Sequence, residues 1–346
     1  MNSYYIGLDI HKRSISYCIK SAGGQIWAEG KFTSNRSELI RAQSQWPRPW
    51  LAGMEATIFS GWIHDVLKEC GQQVRVGDPN MMRAIAASKK KSDQLDARKI
   101  ADLVRADLFP DVYVACPQVR ELRQTLRYRN LLVREIVRFK NRACGMLMEA
   151  GIGYERERVH GQGYWARLME ELVADQMPAD WINLLRLNRN TIQQLQQLEG
   201  RLVESLVKHP RLAERVKRLD TIPGIGPLTA LTWALEIDDP KRFANVRRAV
   251  SYCGLCSAQR QSGDRTGRGP LSKQRNKHLQ TMLVEAAKKG ARRDAKLNEI
   301  YEREKARGNP NQATIAVARR LVAYLLACDR ENRTFRPEQT AETAAA

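Results

Sequence analysis

Four acidic residues stand at positions that suit metal-dependent phosphate chemistry. Asp9 ends an apolar, strand-like segment, and Glu55 follows a second one. Asp93 and Asp96 are three residues apart, so a helix would present both on one face. Grouped carboxylates raise each other's pKa, and two Mg²⁺ ions would relieve the repulsion while clamping a phosphate. Each acid alone has an ordinary explanation as a turn residue or helix cap, so the hypothesis of a two-metal nuclease centre rests on the set.

A hydroxyl in a basic, glycine-rich loop is the second candidate for chemistry. Ser262 is followed by Gly263, and residues 260–293 contain ten Lys or Arg against two acids. The guanidinium groups would stabilise charge on a phosphate attacked by the serine. Most serines in such loops only form turns, so the residues alone leave the nucleophile as the less favoured interpretation. The loop also offers four candidate nucleic-acid contacts: Arg260, Arg265, Arg268 and Lys273.

The charge of the whole chain favours a polyanionic partner. Its 58 Lys and Arg against 38 Asp and Glu give a formal net charge of +20 in 346 residues. Nucleic acid is the first candidate partner and an acidic membrane surface the second. No run of about 18 apolar residues occurs, so no membrane span is expected. The seven scattered cysteines suit reduced thiols, which predicts a cytoplasmic protein.

Hydrophobic periodicity predicts an N-terminal α/β region. Strands are expected over residues 4–9, 14–20, 25–33, 50–54 and 73–77, with helices near 37–46 and 60–70. Ser37 is the expected N-cap of the first helix. The order of these elements fits a mixed sheet flanked by helices, as in the ribonuclease H-like layout.

A long basic helix is predicted over residues 118–150, with eight Lys or Arg against three acids. A solvated helix face is the ordinary explanation for such a charge run, but the excess of one sign favours contact with phosphates. Four of its residues are the candidate nucleic-acid contacts: Arg123, Arg127, Arg134 and Arg138.

Apolar residues at coiled-coil spacing mark residues 185–206. Burial within the same chain and a self-association seam explain this spacing equally well. Further on, residues 219–230 match the helix-hairpin-helix pattern, in which Gly224 and Gly226 let the backbone approach DNA and the next helix start hold a phosphate. The same hairpin can be purely structural. Ser272 is expected to cap the helix that follows.

Seven short motifs resemble, in order, those of the DEDD insertion-sequence transposases, the bridge-RNA-guided recombinases related to Piv-type DNA invertases. The motifs are residues 7–12 (GLDIHK), 54–57 (MEAT), 91–97 (KSDQLDA), 222–226 (IPGIG), 254–255 (GL), 262–263 (SG) and 272–273 (SK). The resemblance spans nearly the whole chain. It implies an α/β domain of the RuvC-like type over residues 1–150, a helical coiled-coil connector over 151–212, a helical transposase domain with the hairpin over 213–336 and a disordered tail over 337–346.

The resemblance also implies the chemistry. Asp9, Glu55, Asp93 and Asp96 would bind Mg²⁺, and Ser262 would form a transient phosphoserine link to DNA. The family assembles the serine and the acids from different subunits of a tetramer, and a structured RNA encoded by the element pairs with donor and target double-stranded DNA.

We therefore expect a transposase that cuts and rejoins the DNA of an insertion sequence under RNA guidance. One alternative is a RuvC-type structure-specific endonuclease, which uses the acids and water. The other is a non-catalytic nucleic-acid scaffold that uses only the hairpin and the basic faces. The Ser262 loop favours the recombinase over the nuclease, and the four acids favour either enzyme over the scaffold.

Overall fold

The computed structural model describes residues 3–85, 92–262 and 265–337. The chain divides into two compact units, Met1–Pro117 and Gln118–Ala346. The finer division at residues 150 and 212 stays a prediction. Within the described residues, no helix is both long enough and apolar enough to cross a membrane.

The first unit is a five-stranded mixed sheet with helices. Its elements are β1 (Tyr4–Ile10), β2 (Ser14–Ser21), β3 (Ile26–Thr33), α1 (Arg36–Ser44), β4 (Trp50–Glu55), α2 (Ser60–Glu69), β5 (Gln73–Gly77), α3 (Pro79–Ile85) and α4 (Asp93–Arg105). The strand order is β3-β2-β1-β4-β5. β2 runs antiparallel to β1 and β3, whereas β4 runs parallel to β1 and β5. The mixed α/β prediction is confirmed, and the sheet is consistent with a ribonuclease H-like domain.

Alternating apolar residues bury one face of this sheet. Ile6 and Leu8 of β1 pack in one core with Trp50 and Met54 of β4, and all four are fully buried. Period-two alternation puts such residues on the same face of a strand. The polar ends of β1 and β4 are therefore held on a rigid base.

Helix α1 begins earlier than its sequence pattern predicts. Its N-cap is Asn35, whose side-chain oxygen accepts hydrogen bonds from the Glu38 amide and the Ser37 hydroxyl, both at 2.8 Å. The prediction that Ser37 is the cap is wrong. Asn35 has the extended backbone of a cap residue and reaches the third helical amide, which leaves Ser37 inside the first turn.

Close backbone contact fixes α4 on the sheet. A Cβ atom at Gly7 would lie 2.0 Å from the carbonyl oxygen of Ala97 and 2.4 Å from the amide nitrogen of Ala101, so only glycine allows this approach. Two ion pairs hold the same helix against the neighbouring strands. Lys20 donates to Asp102 at 2.6 Å, and Arg98 donates to both oxygens of Glu29 at 2.6 and 2.7 Å.

We expect Gly7→Ala to destabilise the protein by about 3 kcal/mol, the upper end for overpacking, because the obstructing atoms are backbone and cannot turn away. Thermal and denaturant unfolding of the full chain measure this loss. Gly23→Ala is the matched control, since its Cβ would meet only the Ser21 hydroxyl at 3.8 Å. Equal stability of the two variants would show that α4 is not seated through Gly7.

The second unit is helical apart from one hairpin among its described residues. Its elements are α5 (Pro117–Glu149, whose first residue falls in the first unit), α6 (Gln162–Ala174), α7 (Ala179–Val207), α8 (Ala213–Leu219), α9 (Pro227–Ile237), a short 3-10 helix (Pro240–Arg242), α10 (Val246–Tyr252), β6 (Ser257–Ser262), β7 (Arg265–Leu271), α11 (Lys277–Arg293), α12 (Ala295–Arg307) and α13 (Pro310–Arg330). The long predicted helix is α5, placed to within one residue at each end.

The apolar spacing of residues 185–206 falls within α7. Leu185, Ile192 and Leu206 are buried inside the unit, so intramolecular packing accounts for these three. A different set of leucines on α7 is exposed: Leu184, Leu187 and Leu198. Self-association through this helix stays a prediction.

The glycine turn of the hairpin pattern joins α8 to α9. Gly224 has φ of +85° and sits so close to α11 that a Cβ would lie 2.6 Å from Gly290. The turn thus has a structural reason for glycine, and its contact with DNA stays a prediction. Helix α11 is capped by Asn276, which accepts from the amides of His278 and Leu279, so the prediction that Ser272 caps this helix is wrong. Ser272 lies too far upstream to reach the first free amides of the helix.

Candidate active site

Parallel pairing brings two of the predicted acids to one edge of the sheet. Leu8 of β1 is the register partner of Met54 of β4. The next residue on each strand is acidic, Asp9 and Glu55. Register neighbours on parallel strands point to the same face, so the carboxyl ends of β1 and β4 present two acids side by side.

A third acid joins this edge from the start of α4. One oxygen of Asp9, one of Asp93 and a ring nitrogen of His11 all lie within 4.8 Å of one another. The His11 Nε2 atom is 3.0 Å from Asp9 Oδ2 and 3.4 Å from Asp93 Oδ1. Lys31 donates to the other oxygen of Asp93 at 3.0 Å. We refer to Asp9, His11 and Asp93 as the acid cluster.

Electrostatics within the cluster favour a positive ligand. Burial raises the pKa of the Asp9 carboxyl, His11 opposes this through its charge and hydrogen bond, and Asp93 and Asp96 add repulsion. Lys31, by donating a hydrogen bond, lowers the pKa of Asp93. A half-buried carboxylate repelled by two others is stabilised when a divalent cation binds, and oxygen and imidazole donors both suit such an ion. The residues therefore fit a divalent metal.

The other two predicted metal ligands, Glu55 and Asp96, lie outside the acid cluster. Asp96 shares α4 with Asp93, and Lys99 donates to it at 3.1 Å. Among the described residues, the group of mutually close ligand atoms includes neither Asp96 nor Glu55. His11 was not among the site residues predicted from the sequence. The signal was its two-residue spacing from Asp9, which puts both side chains on the same side of an extended segment.

In the second unit, two of the predicted nucleic-acid contacts, Arg123 and Arg127, form hydrogen bonds within the protein. Arg127 donates two hydrogen bonds of 3.0 Å to Glu236, whose side chain is 1% exposed. Arg123 donates to the Leu235 carbonyl at 2.9 Å, and Asn276 donates to Glu236 at 2.8 Å. Burial disfavours the charged form of Glu236, but the hydrogen bonds and charge of Arg127, with Asn276 and Arg123, lower its pKa below the ordinary value.

The remaining predicted contacts on α5 face outward. Arg134 is exposed, and Arg138 pairs with Glu135 one turn away at 3.0 Å. Such an exposed pair is weak, so phosphate can displace it. The helix therefore carries a structural part near Arg127 and an accessible part near Arg134.

We expect Arg134→Ala and Arg127→Ala to differ in kind. Arg134→Ala should reduce the slope of log affinity against log salt by about 0.9 for double-stranded DNA, with unchanged stability. Arg127→Ala should lower the free energy of unfolding by about 3 kcal/mol, because it leaves the buried Glu236 charge poorly paired. Binding titrations at several salt concentrations and urea unfolding measure the two effects. If Arg134→Ala has the same salt slope as the wild type, Arg134 does not contact phosphate and this helix face is only solvated.

Ser262 belongs to the second unit and ends β6. Its backbone pairs with Arg265 at the start of β7, so it stands at the closed end of the hairpin. Gly263 and the side chains of Ser262, Arg260, Arg265 and Arg268 lie outside the described part of the chain. Lys273, the last predicted contact of this region, is exposed. In the glycine turn, Gly226 is followed by Pro227, which begins α9 and is also exposed.

Comparison with known proteins identifies the chain as a transposase, an enzyme that cuts and rejoins DNA. Residues 6–152 match a transposase family named for the DEDD motif and the insertion sequence IS110. Residues 216–302 match the family described as transposase of the IS116/IS110/IS902 family. The two segments together cover more than half of the chain. The chain therefore belongs to the DEDD transposases of the IS110 family.

Relatives matched over two thirds or more of their length agree with this assignment. The chain is 26% identical to the transposase for insertion sequence element IS1328 of Yersinia enterocolitica, over 92% of this chain and 95% of the relative. It is 28% identical to a protein of Pseudomonas aeruginosa described as a probable family 20 transposase, over 73% and 76% of the two chains. It is 26% identical to the transposase for IS1111A of Coxiella burnetii, over 71% and 68%.

Proposed function

We propose that this transposase uses the acid cluster of its first unit and Ser262 of its second unit in one cut-and-rejoin reaction, on double-stranded donor and target DNA chosen by a guide RNA. The observation that supports this best is the convergence of Asp9, His11 and Asp93 at the carboxyl end of β1. Carboxylates that repel one another at a strand end are what phosphoryl-transfer metal sites require.

Asp9 and Asp93 would hold a divalent ion, Mg²⁺ in our proposal, with Glu55 and Asp96 completing the set. When bound, the ion would supply positive charge to a phosphate under attack. His11 contacts both acids and holds their side chains toward each other. Lys31, paired with Asp93, keeps that acid ionised and ready to coordinate.

Ser262 would attack the phosphorus atom and form a phosphoserine ester, while the bond from phosphorus to the leaving DNA oxygen breaks. The serine proton passes to the leaving oxygen through solvent or a nearby base. A DNA hydroxyl then attacks the same phosphorus, the bond from phosphorus to the serine oxygen breaks, and the proton of the hydroxyl passes to that oxygen, so the ester bond is conserved without added energy. The basic residues around Ser262 in the sequence support this role because they would stabilise the charge on the phosphate.

Guidance by a structured RNA and assembly as a tetramer complete the proposal. The net charge of +20 suits a protein that holds two kinds of nucleic acid. Sequence choice by base pairing would leave the protein to recognise shape and backbone. Sequencing the nucleic acid that co-purifies with the protein tests the RNA, and light scattering on the complex tests the oligomer.

Metal removal is the direct test of the acid cluster. EDTA should abolish cutting and joining of element DNA, and added Mg²⁺ should restore both. Calorimetric titration of the protein with Mn²⁺ should show binding that weakens in His11→Ala and is lost in Asp9→Asn. Full activity in EDTA would show that the reaction needs no metal ion, and the acids would then have no role as metal ligands.

A further inference from the structure

A shallow cavity of about 410 Å³, largely open to solvent, lies at the same edge of the first unit as the acid cluster. It is lined by Lys12, Ser34, Asn35, Arg36, Phe59 and Trp62. Its volume lies in the range of about 300–1,000 Å³ that is usual for small-ligand sites. The chemistry of its walls is mixed, with two cations, two aromatic rings and two neutral polar side chains.

The sheet topology explains why the cavity lies at the same edge as the acids. β1 and β4 are parallel, and β3 also runs parallel to β1 because each is antiparallel to β2. All three strands therefore end at one edge. Lys12 follows the end of β1, Ser34 follows the end of β3, and Phe59 lies four residues beyond Glu55. The segments that follow the acids thus also line the cavity.

The two cations of the cavity are available to a ligand. Within the described residues, the side chains of Lys12 and Arg36 are exposed, form no ion pair and donate no hydrogen bond, and among the described lining residues there is no carboxylate. Elsewhere in this unit, Lys20, Lys31 and Arg98 are each paired with an acid. An unpaired lysine and arginine that share one cavity favour an anion, and the guanidinium fork suits a phosphate.

The aromatic rings of the cavity suit a flat apolar ligand. Phe59 and Trp62 are half-buried against the core of the sheet, which fixes the position of both rings. The Arg36 guanidinium lies 5.8 Å from the centre of the Trp62 ring. Rings that face a cationic surface bind unpaired bases by stacking while the cations hold the backbone. The side-chain oxygen of Asn35 caps α1, but its amide nitrogen and the Ser34 hydroxyl add hydrogen-bonding groups for a base edge.

We propose that this cavity binds one unpaired DNA nucleotide next to the phosphate that is cut, with its base against Phe59 and Trp62 and its phosphate on Lys12 and Arg36. This inference rests on the proposed role of the acid cluster, because that role places the cut strand at this edge. The nucleotide is DNA because the strand that the enzyme cuts is DNA. An unpaired nucleotide is required because in a duplex both faces of each base are covered by its neighbours. The cavity would thus hold the strand open at the sheet edge that carries the acids.

The test uses the full chain and a short single-stranded DNA that carries 2-aminopurine, a base whose fluorescence falls when it stacks. Trp62→Leu removes the ring but keeps apolar bulk, and should weaken binding by about 5- to 100-fold and abolish the quenching. Trp62→Phe should retain most of the quenching. Trp27→Leu is the matched control, since Trp27 lies on β3, is 53% exposed and does not line the cavity. It should bind as the wild type does.

The cations have their own readout. Lys12→Ala and Arg36→Ala should each reduce the slope of log affinity against log salt by about 0.7 for a single strand. If circular dichroism shows that Trp62→Leu does not fold, Phe59→Leu replaces it as the variant that removes an aromatic ring from the cavity. Wild-type affinity and quenching in Phe59→Leu together with unchanged salt slopes in both cation variants would overturn the proposal.

Two further experiments distinguish DNA from RNA as the ligand, and the cavity from the acid cluster as the site affected. The same probe made as RNA should be quenched less, and an effect of Trp62→Leu confined to the RNA would overturn the assignment to DNA. Asp9→Asn should bind and quench the DNA probe while losing DNA cutting. If Asp9→Asn still cuts DNA, the proposed role of the acid cluster fails, whereas loss of quenching in the Trp62 and Phe59 variants would still establish the cavity as a base-binding site.

Discussion

Asp9→Asn should abolish cutting and joining of DNA, with a rate loss above about 100-fold, while the chain stays folded. Removal of a group that merely supports a metal ligand already costs about 10- to 100-fold, and Asp9 would be a ligand itself. Asparagine has the same shape and can still hydrogen bond to His11. Burial raises the pKa of Asp9, so exchange of the carboxylate for an amide removes an unfavourable buried charge and spares stability.

Asp107→Asn is the matched control. Asp107 belongs to the same unit, pairs with Arg75 at 2.8 Å and is 89% exposed, so its loss should leave the reaction unchanged. Cleavage of element DNA followed on gels, with calorimetric metal titration of each variant, measures both steps. Activity of Asp9→Asn within a few-fold of the wild type would remove this residue from the mechanism.

Ser262→Ala should eliminate the covalent link between protein and DNA. If the serine oxygen carries the phosphate between cutting and joining, denaturing gels of the wild type will show a protein–DNA adduct, and mass spectrometry will map it to Ser262. The alanine variant should show neither adduct nor joined product. It should bind nucleic acid as before, because the loss of one hydroxyl at the end of β6 leaves the positive charge unchanged.

Ser272→Ala is the control for a hydroxyl in the same basic region. Its oxygen accepts a hydrogen bond from the amide of Gln274 at 3.2 Å, so its removal should have a small effect on the local turn and none on the adduct. An adduct that survives in Ser262→Ala, or maps to another residue, would favour the RuvC-type nuclease in which water attacks. Binding without any cleavage by the wild-type protein in Mg²⁺ would favour the scaffold.

Local patterns in the sequence were sufficient to predict the five strands of the mixed sheet, but not their order. Ile6, Leu8 and Ile10 recur at every second residue, and this period of two both predicts β1 and sets which face packs in the core. The position of Asp9 at a strand end follows directly. The cap of α1 was misplaced because Asn35 and Ser37 are both good capping residues, and only the backbone conformation distinguishes them.

Long-range contacts were beyond the reach of the sequence. Arg127 reads as one more exposed charge on a basic helix, and its partner Glu236 is 109 residues away. No local period links the two. His11 was overlooked for a related reason, since its value depends on Asp93, which reaches it from another element. The sequence therefore predicted the four acids as one set, whereas the structure shows which of them share a ligand-sized space with His11.

The contacts of Glu236 show which part of the basic helix α5 can be mutated without loss of packing. Its carboxylate joins α5 to Asn276 at the start of α11, and its backbone carbonyl accepts from the Tyr252 hydroxyl of α10 at 3.2 Å. Charge added or removed near Arg127 would disturb the contacts of α9, which carries Glu236, with three other helices. Arg134 and Arg138 are exposed, and their charges can be changed without disturbing these contacts. Engineered variants with tighter or looser grip on nucleic acid should therefore be sought in the second half of α5.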